Sequence, residues 1–337
     1  MPAHPVPGTY PVTLVVEDVY FPGSWPGPDG LRKTLLDSAS FHARAAIADY
    51  TRSDERYVDA AFHCGTAIEH LTKSFLASLH PALIVDKGDF DSLLILTGHA
   101  EHAKKSRGTD LRTVGLTEAC QRVRQVLPTF RPEPRLSVLS NVRNAAAHLA
   151  ITSRNDICQA VQGMVVLATP LLEALDASPE AFWREFADVA SVLRDDALAE
   201  VDRVVASKLE SARQTLRQRL EGLHTSARKA VLSAIAGKTH WTQDYEHPQT
   251  CPVCKQAACL ICQLWTEETD TQPHPADGSP MPHAYALIDG FYCSACELEL
   301  DNADETRALD MPEEVDLGYL PLDEYGLPVV PPGSGAV

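Results

Sequence analysis

Two cysteine pairs set tight limits on what the last third of this chain can fold into. Cys251-Pro-Val-Cys254 and Cys293-Ser-Ala-Cys296 each present two thiolates from one short turn, and strand-like stretches from Ala258 to Trp265 and from Ala284 to Tyr292 lie between them. Two such knuckles close one tetrahedral site, which is the layout of a zinc ribbon, with Cys251, Cys254, Cys293 and Cys296 as ligands of a structural zinc ion. A segment this small has little core, so metal binding is expected to supply folding energy that apolar burial does not. A third pair, Cys259 and Cys262, falls on the strand rather than in a turn and is assigned to packing. Cys64, Cys120 and Cys158 sit in helical patterns as small buried hydrophobes. His247, His274 and His283 are held as reserve ligands.

Upstream of the cysteines the chain reads as helix. Residues 1–30 form a proline-rich arm with one apolar run, Val12 to Phe21, that fits an edge strand. Over 31–177 apolar residues recur at helical spacing in five or six segments divided by short loops. The clearest stripe is Val58, Phe62, Ile68, Leu71, Phe75, Leu76 and Leu79, ended by His80-Pro81. Ser153 is placed to cap a helix that runs to about Leu175, with Pro170 expected to kink or end it. Over 178–239 there is no glycine before Gly222, and Val201, Val205, Leu209, Leu216 and Leu220 recur among alternating charges, which predicts a long amphipathic helix or a helical hairpin suited to self-pairing. The zinc-ribbon segment is placed at 240–310, and 311–337 is an acidic, proline-rich tail expected to be disordered or draped. The expected class is mainly α: a bundle and a long helix, followed by a small β-rich ribbon.

Charge is divided unevenly along the 337 residues. The net charge of −17 breaks down as −3 over 1–30, +3 over 31–150, −1 over 151–240 and −16 over 241–337. An acidic ribbon is poorly suited to gripping a polyanion and is better suited to contact with a protein partner, whereas the helical segment is mildly basic. No run of 18 apolar residues occurs and the N-terminus has neither a basic start nor an apolar signal core, so no membrane span is expected and the cytoplasm is the expected location.

The polar chemistry of the helical segment concentrates in Ser140-Asn-Val-Arg143-Asn144-Ala-Ala-Ala-His148. On a helix Asn144 and His148 share a face and Arg143 lies at its edge. An Arg that holds phosphate charge beside a His that exchanges a proton near neutral pH is the minimum equipment for metal-free phosphodiester cleavage. The spacing alone is weak: Arg219-Leu-Glu-Gly-Leu-His224 has it too, and random placement gives roughly one such match. Arg219 lacks a following amide, sits in a charged helix, and reads as solvated surface. Glu69, His70 and Lys73 lie beside the stripe of the earlier helix and, taken one by one, read as solvated face residues. Lys104, Lys105 and Arg107 make the loop from Gly98 to Asp110 a local basic patch able to meet phosphates.

Arg143-Asn144-Ala-Ala-Ala-His148 on a late helix, with Thr66-Ala-Ile-Glu-His-Leu-Thr-Lys-Ser-Phe-Leu76 on an early one, resembles the HEPN superfamily, whose signature is an Arg, a polar residue and a His four to six positions past the Arg. The resemblance covers 31–177 and implies a helical bundle acting as a dimeric, metal-independent endoribonuclease. In it His148 would be the general base on the ribose 2′-hydroxyl or the general acid on the leaving oxygen. Arg143 would stabilise the phosphorane, Asn144 would orient His148 or a phosphate oxygen, and Glu69 would help from the neighbouring helix. It also implies RNA as partner and toxin or phage-defence roles as context. Two other readings stay open: a non-catalytic dimeric scaffold that uses the acidic ribbon for protein contacts, and a nucleotide-binding protein.

Overall fold

A computed structural model of the chain describes residues 27–51, 56–104, 111–236, 245–276, 278–323 and 328–330; the stretch from Val12 to Phe21, Lys105 and Arg107 lie outside them. The protein is mainly α with one small antiparallel sheet, and it divides into two compact units, one up to Ala197 and one from Leu198.

The first unit holds α1 (Gly27–Thr51), α2 (Tyr57–Leu79), α3 (Phe90–Leu96), α4 (Leu116–Val126), α5 (Arg135–Leu149), α6 (Arg154–Ala174), α7 (Pro179–Trp183) and the start of α8 (Ala187–Leu220). Local chemistry sets the helix ends. Asp89 caps α3 by accepting from the Ser92 amide, Ser153 and Asp156 form a reciprocal capping box at α6, and Ser178 caps α7 with Pro179 in its first turn. Pro170 does not end α6, which runs on to Ala174; near the helix end its missing N–H costs little.

Helix α2 is the hub, packed against α1, α4, α5 and α6. It buries Ile68, Leu71 and Leu76 against Leu139 of α5 and Ile157, Met164 and Leu167 of α6. α6 is long and apolar enough to cross a membrane by length and composition, with a mean hydropathy of 1.4 over 18 residues, but 56% of that window is buried within the protein. Its place is the centre of the bundle. Helix α5 turns Leu136, Leu139, Val142 and Ala146 into this core, so its opposite face carries Asn144 and His148 outward.

The second unit comprises the rest of α8, α9 (Thr225–Ile235), β1 (Tyr245–Thr250), β2 (Ala257–Pro273), β3 (Pro280–Cys293), β4 (Leu298–Leu300), α10 (Ala303–Arg307) and β5 (Glu314–Tyr319). All pairings are antiparallel: β1 with β2, β2 with β3, and β3 with both β4 and β5 at different points along its length. Gly290 on β3 is required by that packing, since a Cβ there would stand 2.7 Å from the Leu300 carbonyl oxygen. The core unites Leu260, Cys262, Ile288, Phe291 and Leu298 with Ala212, Leu209 and Leu216 of α8 and Leu232 of α9.

Two expectations change here, and one alternative left open is narrowed: the helical stretch over 178–239 is interrupted at Gly222, which takes φ +71°, a conformation glycine adopts without steric cost. The contact boundary falls inside α8, because the charged-looking half of that helix buries a narrow apolar seam against the sheet. The tail is not simply draped: Val315 and Leu317 pack on the core and β5 pairs with β3 from His283 to Leu287.

Candidate functional site

Arg143 is positioned by α2. Its side chain crosses the helix at Gly65, so closely that a Cβ on Gly65 would lie 2.8 Å from Arg143 Cδ. Its Nη1 donates to Glu69 Oε2 at 3.1 Å, and the other carboxylate oxygen accepts from Lys73 Nζ at 2.8 Å, which also donates to Thr113 Oγ1 at 3.0 Å. Glu69 and Lys73 are therefore well inside the fold, with side chains 16% and 7% exposed, rather than solvated as each reads alone; they pair with each other along α2, and Glu69 pairs with Arg143 across to α5, which one helix's pattern cannot reveal. Burial raises the Glu69 carboxyl, but Lys73 and Arg143 together override it and hold its pKa below the ordinary carboxylate value.

Arg143 is half-buried, and Asn144 and His148 are exposed on the same helix. Leu149 and Ile151, which follow His148, are 67% and 64% exposed. Lys104 is exposed and its backbone amide donates to Asp91 Oδ1. The structure thus joins Glu69 with Arg143 and leaves Asn144 and His148 open to a ligand. Three histidines nearby on α1 and α2, His42, His63 and His70, were not singled out as a group from sequence; the seven-residue spacing of His63 and His70 was the available signal.

In the second unit Cys251, Cys254, Cys293 and Cys296 meet. Cys251, Cys293 and Cys296 are buried, Cys254 is half-buried, and all four sulfurs lie within 4.8 Å of one another. Cys251 Sγ is 3.5 Å from Cys296 Sγ and Cys254 Sγ is 3.4 Å from Cys293 Sγ. Two sulfurs on a tetrahedral ion with 2.3 Å bonds stand about 3.8 Å apart, so the group can hold a metal ion.

The two knuckles are built alike. Lys255 N bonds Cys251 O at 3.0 Å and Glu297 N bonds Cys293 O at 2.8 Å. The residue after each second cysteine, Lys255 at φ 59° and Glu297 at φ 58°, is left-handed. Hydrogen bonds from Cys251 and Cys296 pull the Cys293 thiol down to about 2, while Cys293 pushes Cys251 up to about 12 and burial raises Cys254. Four sulfurs this close cannot all ionise without a cation among them. Cys259 and Cys262 lie on β2 outside this group, Cys262 in the core.

Arg219 departs from the solvated reading. Its Nη1 donates to the Ser294 and Ala295 carbonyls at 2.6 and 2.8 Å, inside the second knuckle, and its Nη2 pairs with Glu297. Lys208, about three turns upstream on α8, binds Asp301 and Glu305 at 2.7 and 2.6 Å. His224 is exposed and begins α9 instead of continuing α8.

Of the reserve ligands, His283 has another role. It stacks between Tyr285 and Tyr319, with ring centres 4.6 and 4.8 Å away, and its two ring nitrogens face Asp270 and Asp316 at 3.3 and 2.7 Å. The Asp316 hydrogen bond raises its pKa.

Compared with known proteins, the chain matches no family model, no curated protein and no solved structure.

Proposed function

We propose that this chain is a metal-independent endoribonuclease of the HEPN type, acting as a homodimer and carrying a structural zinc ribbon. The observation that carries the reading is the fixed Arg143: Gly65 beneath it and Glu69 beside it set its position, while Asn144 and His148 on the same helix stay accessible. A guanidinium already aligned by a carboxylate loses little further freedom on meeting a phosphate, and among the described residues Glu69 takes only its Nη1.

His148 takes the proton of the ribose 2′-hydroxyl, the 2′-oxygen attacks phosphorus, and Arg143 stabilises the charge on the pentacoordinate phosphorus; Asn144 orients His148 or a phosphate oxygen. The leaving 5′-oxygen takes a proton from the second protomer's copy of the same histidine. The products are a 2′,3′-cyclic phosphate and a 5′-hydroxyl. Exposed Leu149 and Ile151 at the end of the motif helix support a second copy docking there. Lys104, Lys105 and Arg107 would hold the RNA backbone. Four thiolates at tetrahedral spacing are the donor set of a structural zinc site, which is the ion assigned to the cysteines. A cytoplasmic stress or phage-defence effector is the setting the HEPN resemblance implies.

The test is cleavage of single-stranded RNA by purified protein in a buffer where EDTA is added at the start of the assay. Cutting should persist in EDTA, yield cyclic phosphate ends, and vanish in His148→Ala with the helical signal unchanged. Full activity in that variant, or no cutting by the wild type, would overturn the proposal. The second reading, a scaffold that binds a basic partner, draws on the sheet face where Trp265, Tyr285, His283 and Tyr319 stack beside Asp270 and Asp316. It predicts a dimer with no nuclease activity.

A further inference from the structure

The seam between α1 and α2 is built mainly of small apolar side chains: Ala39, Ala43, Ala46 and Ile47 from α1 are buried against Ala60, Ala61, Cys64, Ala67 and Ile68 from α2. One polar line runs along it. Ser38, His42 and Asp49 stand four and seven residues apart on α1, and His63 and His70 stand seven apart on α2, so each set lies along one helix face. Polar groups in such a seam cost free energy unless each finds a partner. Here they find one another. Ser38 Oγ is 2.7 Å from His70 Nδ1, His42 Nδ1 is 2.7 Å from His63 Nδ1, and His63 Nε2 is 3.7 Å from Asp49 Oδ2. Phe41 packs edge-on against the His42 and His63 rings at 5.2 and 6.4 Å.

Two features match what a metal requires of imidazoles. With metal–nitrogen bonds near 2.0 Å, the ring centres of two histidines on one tetrahedral ion stand about 5 Å apart. The His42 and His63 ring centres meet this spacing at 5.0 Å, while that of His70 stands farther from His42 at 5.8 Å. Metal-bound histidines also keep the second ring nitrogen on a carboxylate or other polar partner that fixes the ring. Asp49 stands in that place for His63, and Ser38 faces one nitrogen of His70.

We propose that His42, His63 and His70 form a second metal site, specific for a first-row divalent cation that prefers imidazole ligands, zinc foremost. His42 and His63 supply the first two donors. As the ion enters, the ring holding a proton on Nδ1 moves it to Nε2, and the two Nδ1 atoms part to about 3.3 Å. His70 then swings in as the third ligand, because among the described residues only the cysteine group already brings three or more donor atoms within 4.8 Å. Water or an anion takes the fourth position. Burial favours neutral rings with free lone pairs: it lowers the His42 pKa to about 4, with the His63 and His70 charges adding to the effect, and it is the main cause that lowers His63 and His70 too. Asp49 and Asp59 oppose the shift at His63, and Glu69 opposes it at His70 while Lys73 and Arg143 reinforce it. The site stands independently of the ribonuclease reading, since its evidence is binding and not turnover.

The experiment is metal titration of tag-free, full-length protein that already holds one equivalent of zinc in its cysteine group. A second equivalent of Zn²⁺ should bind at micromolar concentrations. Co²⁺ in its place should give visible bands without thiolate-to-metal charge transfer. His42→Gln and His63→Gln should lose this equivalent, Asp49→Asn should weaken it about tenfold, and Cys251→Ser should keep it. Absence of a second equivalent in the wild type, unchanged binding in both histidine variants, or a thiolate charge-transfer band on the second equivalent would overturn the proposal. The cobalt spectrum is read on the wild type, so the result does not depend on any variant folding.

Discussion

Gly65 and Arg143 form a contact in which one residue's missing side chain sets another's position. A glycine inside a helix costs about 1 kcal/mol relative to alanine, and α2 carries that cost at the point where the Arg143 side chain crosses. In Gly65→Ala the gain in helix propensity and the displacement of Arg143 oppose each other. Urea unfolding should therefore place the variant within about 1 kcal/mol of wild type. On the ribonuclease reading proposed above, its RNA cleavage rate should nevertheless fall at least tenfold, and an unchanged rate would mean that the position of Arg143 is irrelevant to the chemistry. Glu69 gives a pH-dependent counterpart. Its folded-state pKa is depressed, so its contribution is fully present above the unfolded value near 4.3 and is lost as pH falls through the folded value. Glu69→Gln should be less stable than wild type by roughly 2 kcal/mol at pH 7, with the gap closing below about pH 4 when melting curves are compared. The Arg143 motif was readable from sequence, and Glu69 was named beside it only through the resemblance; Gly65 was not, because it is unremarkable until α2 and α5 are packed together.

At the scale of elements, α8 shows why a charge pattern can mislead. Its second half alternates acids and bases as a solvated helix does, yet Leu209, Ala212 and Leu216 pack into the core of the second unit, Lys208 binds Asp301 after β4 and Glu305 on α10, and Arg219 binds the turn between β3 and β4. The periodicity was legible, and the partner was not, since Ser294 and Ala295 offer carbonyls that no side-chain pattern records. The knuckles were legible because their four cysteines carry the geometry themselves, whereas β5 was obscured by the acids and prolines around its short apolar alternation. Arg219→Ala should leave two knuckle carbonyls without their cation and weaken the second unit by about 1–2 kcal/mol. The direct reading is the rate at which a chromophoric chelator strips the metal from the loaded cysteine group, which should rise several-fold in Arg219→Ala and stay unchanged in Arg217→Ala, whose guanidinium binds Glu210 on the same helix.

For the whole molecule the decisive fact is that the two units have separate cores and different charge. Residues up to 197 sum to −5 and those from 198 to −12. If the chain is the proposed ribonuclease and its more acidic unit disfavours RNA by long-range repulsion, the first unit alone should cleave RNA faster than the full chain at low salt. The two rates should converge as the ionic strength passes about 0.15 M, where the screening length falls to about 8 Å. A difference that persists in high salt would assign the effect to something other than charge. Separate cores also predict two unfolding transitions. The first unit is held by apolar burial centred on α2 and α6 and contains none of the four clustered cysteines, so in protein whose metal is confined to the cysteine group chelation should leave its melting temperature in place. The second unit buries few large side chains besides Leu260, Ile288, Phe291, Leu298 and Leu300, and a metal bound to its folded form alone stabilises it in proportion to the logarithm of free metal. Chelating the ion should therefore lower only the transition that includes the strands and the second half of α8, by ten degrees or more for a domain of this size. Cys293→Ser should reproduce that shift without chelator. A single transition that moves as a whole would instead mean that α8, which runs through both units without a break, couples them into one cooperative body.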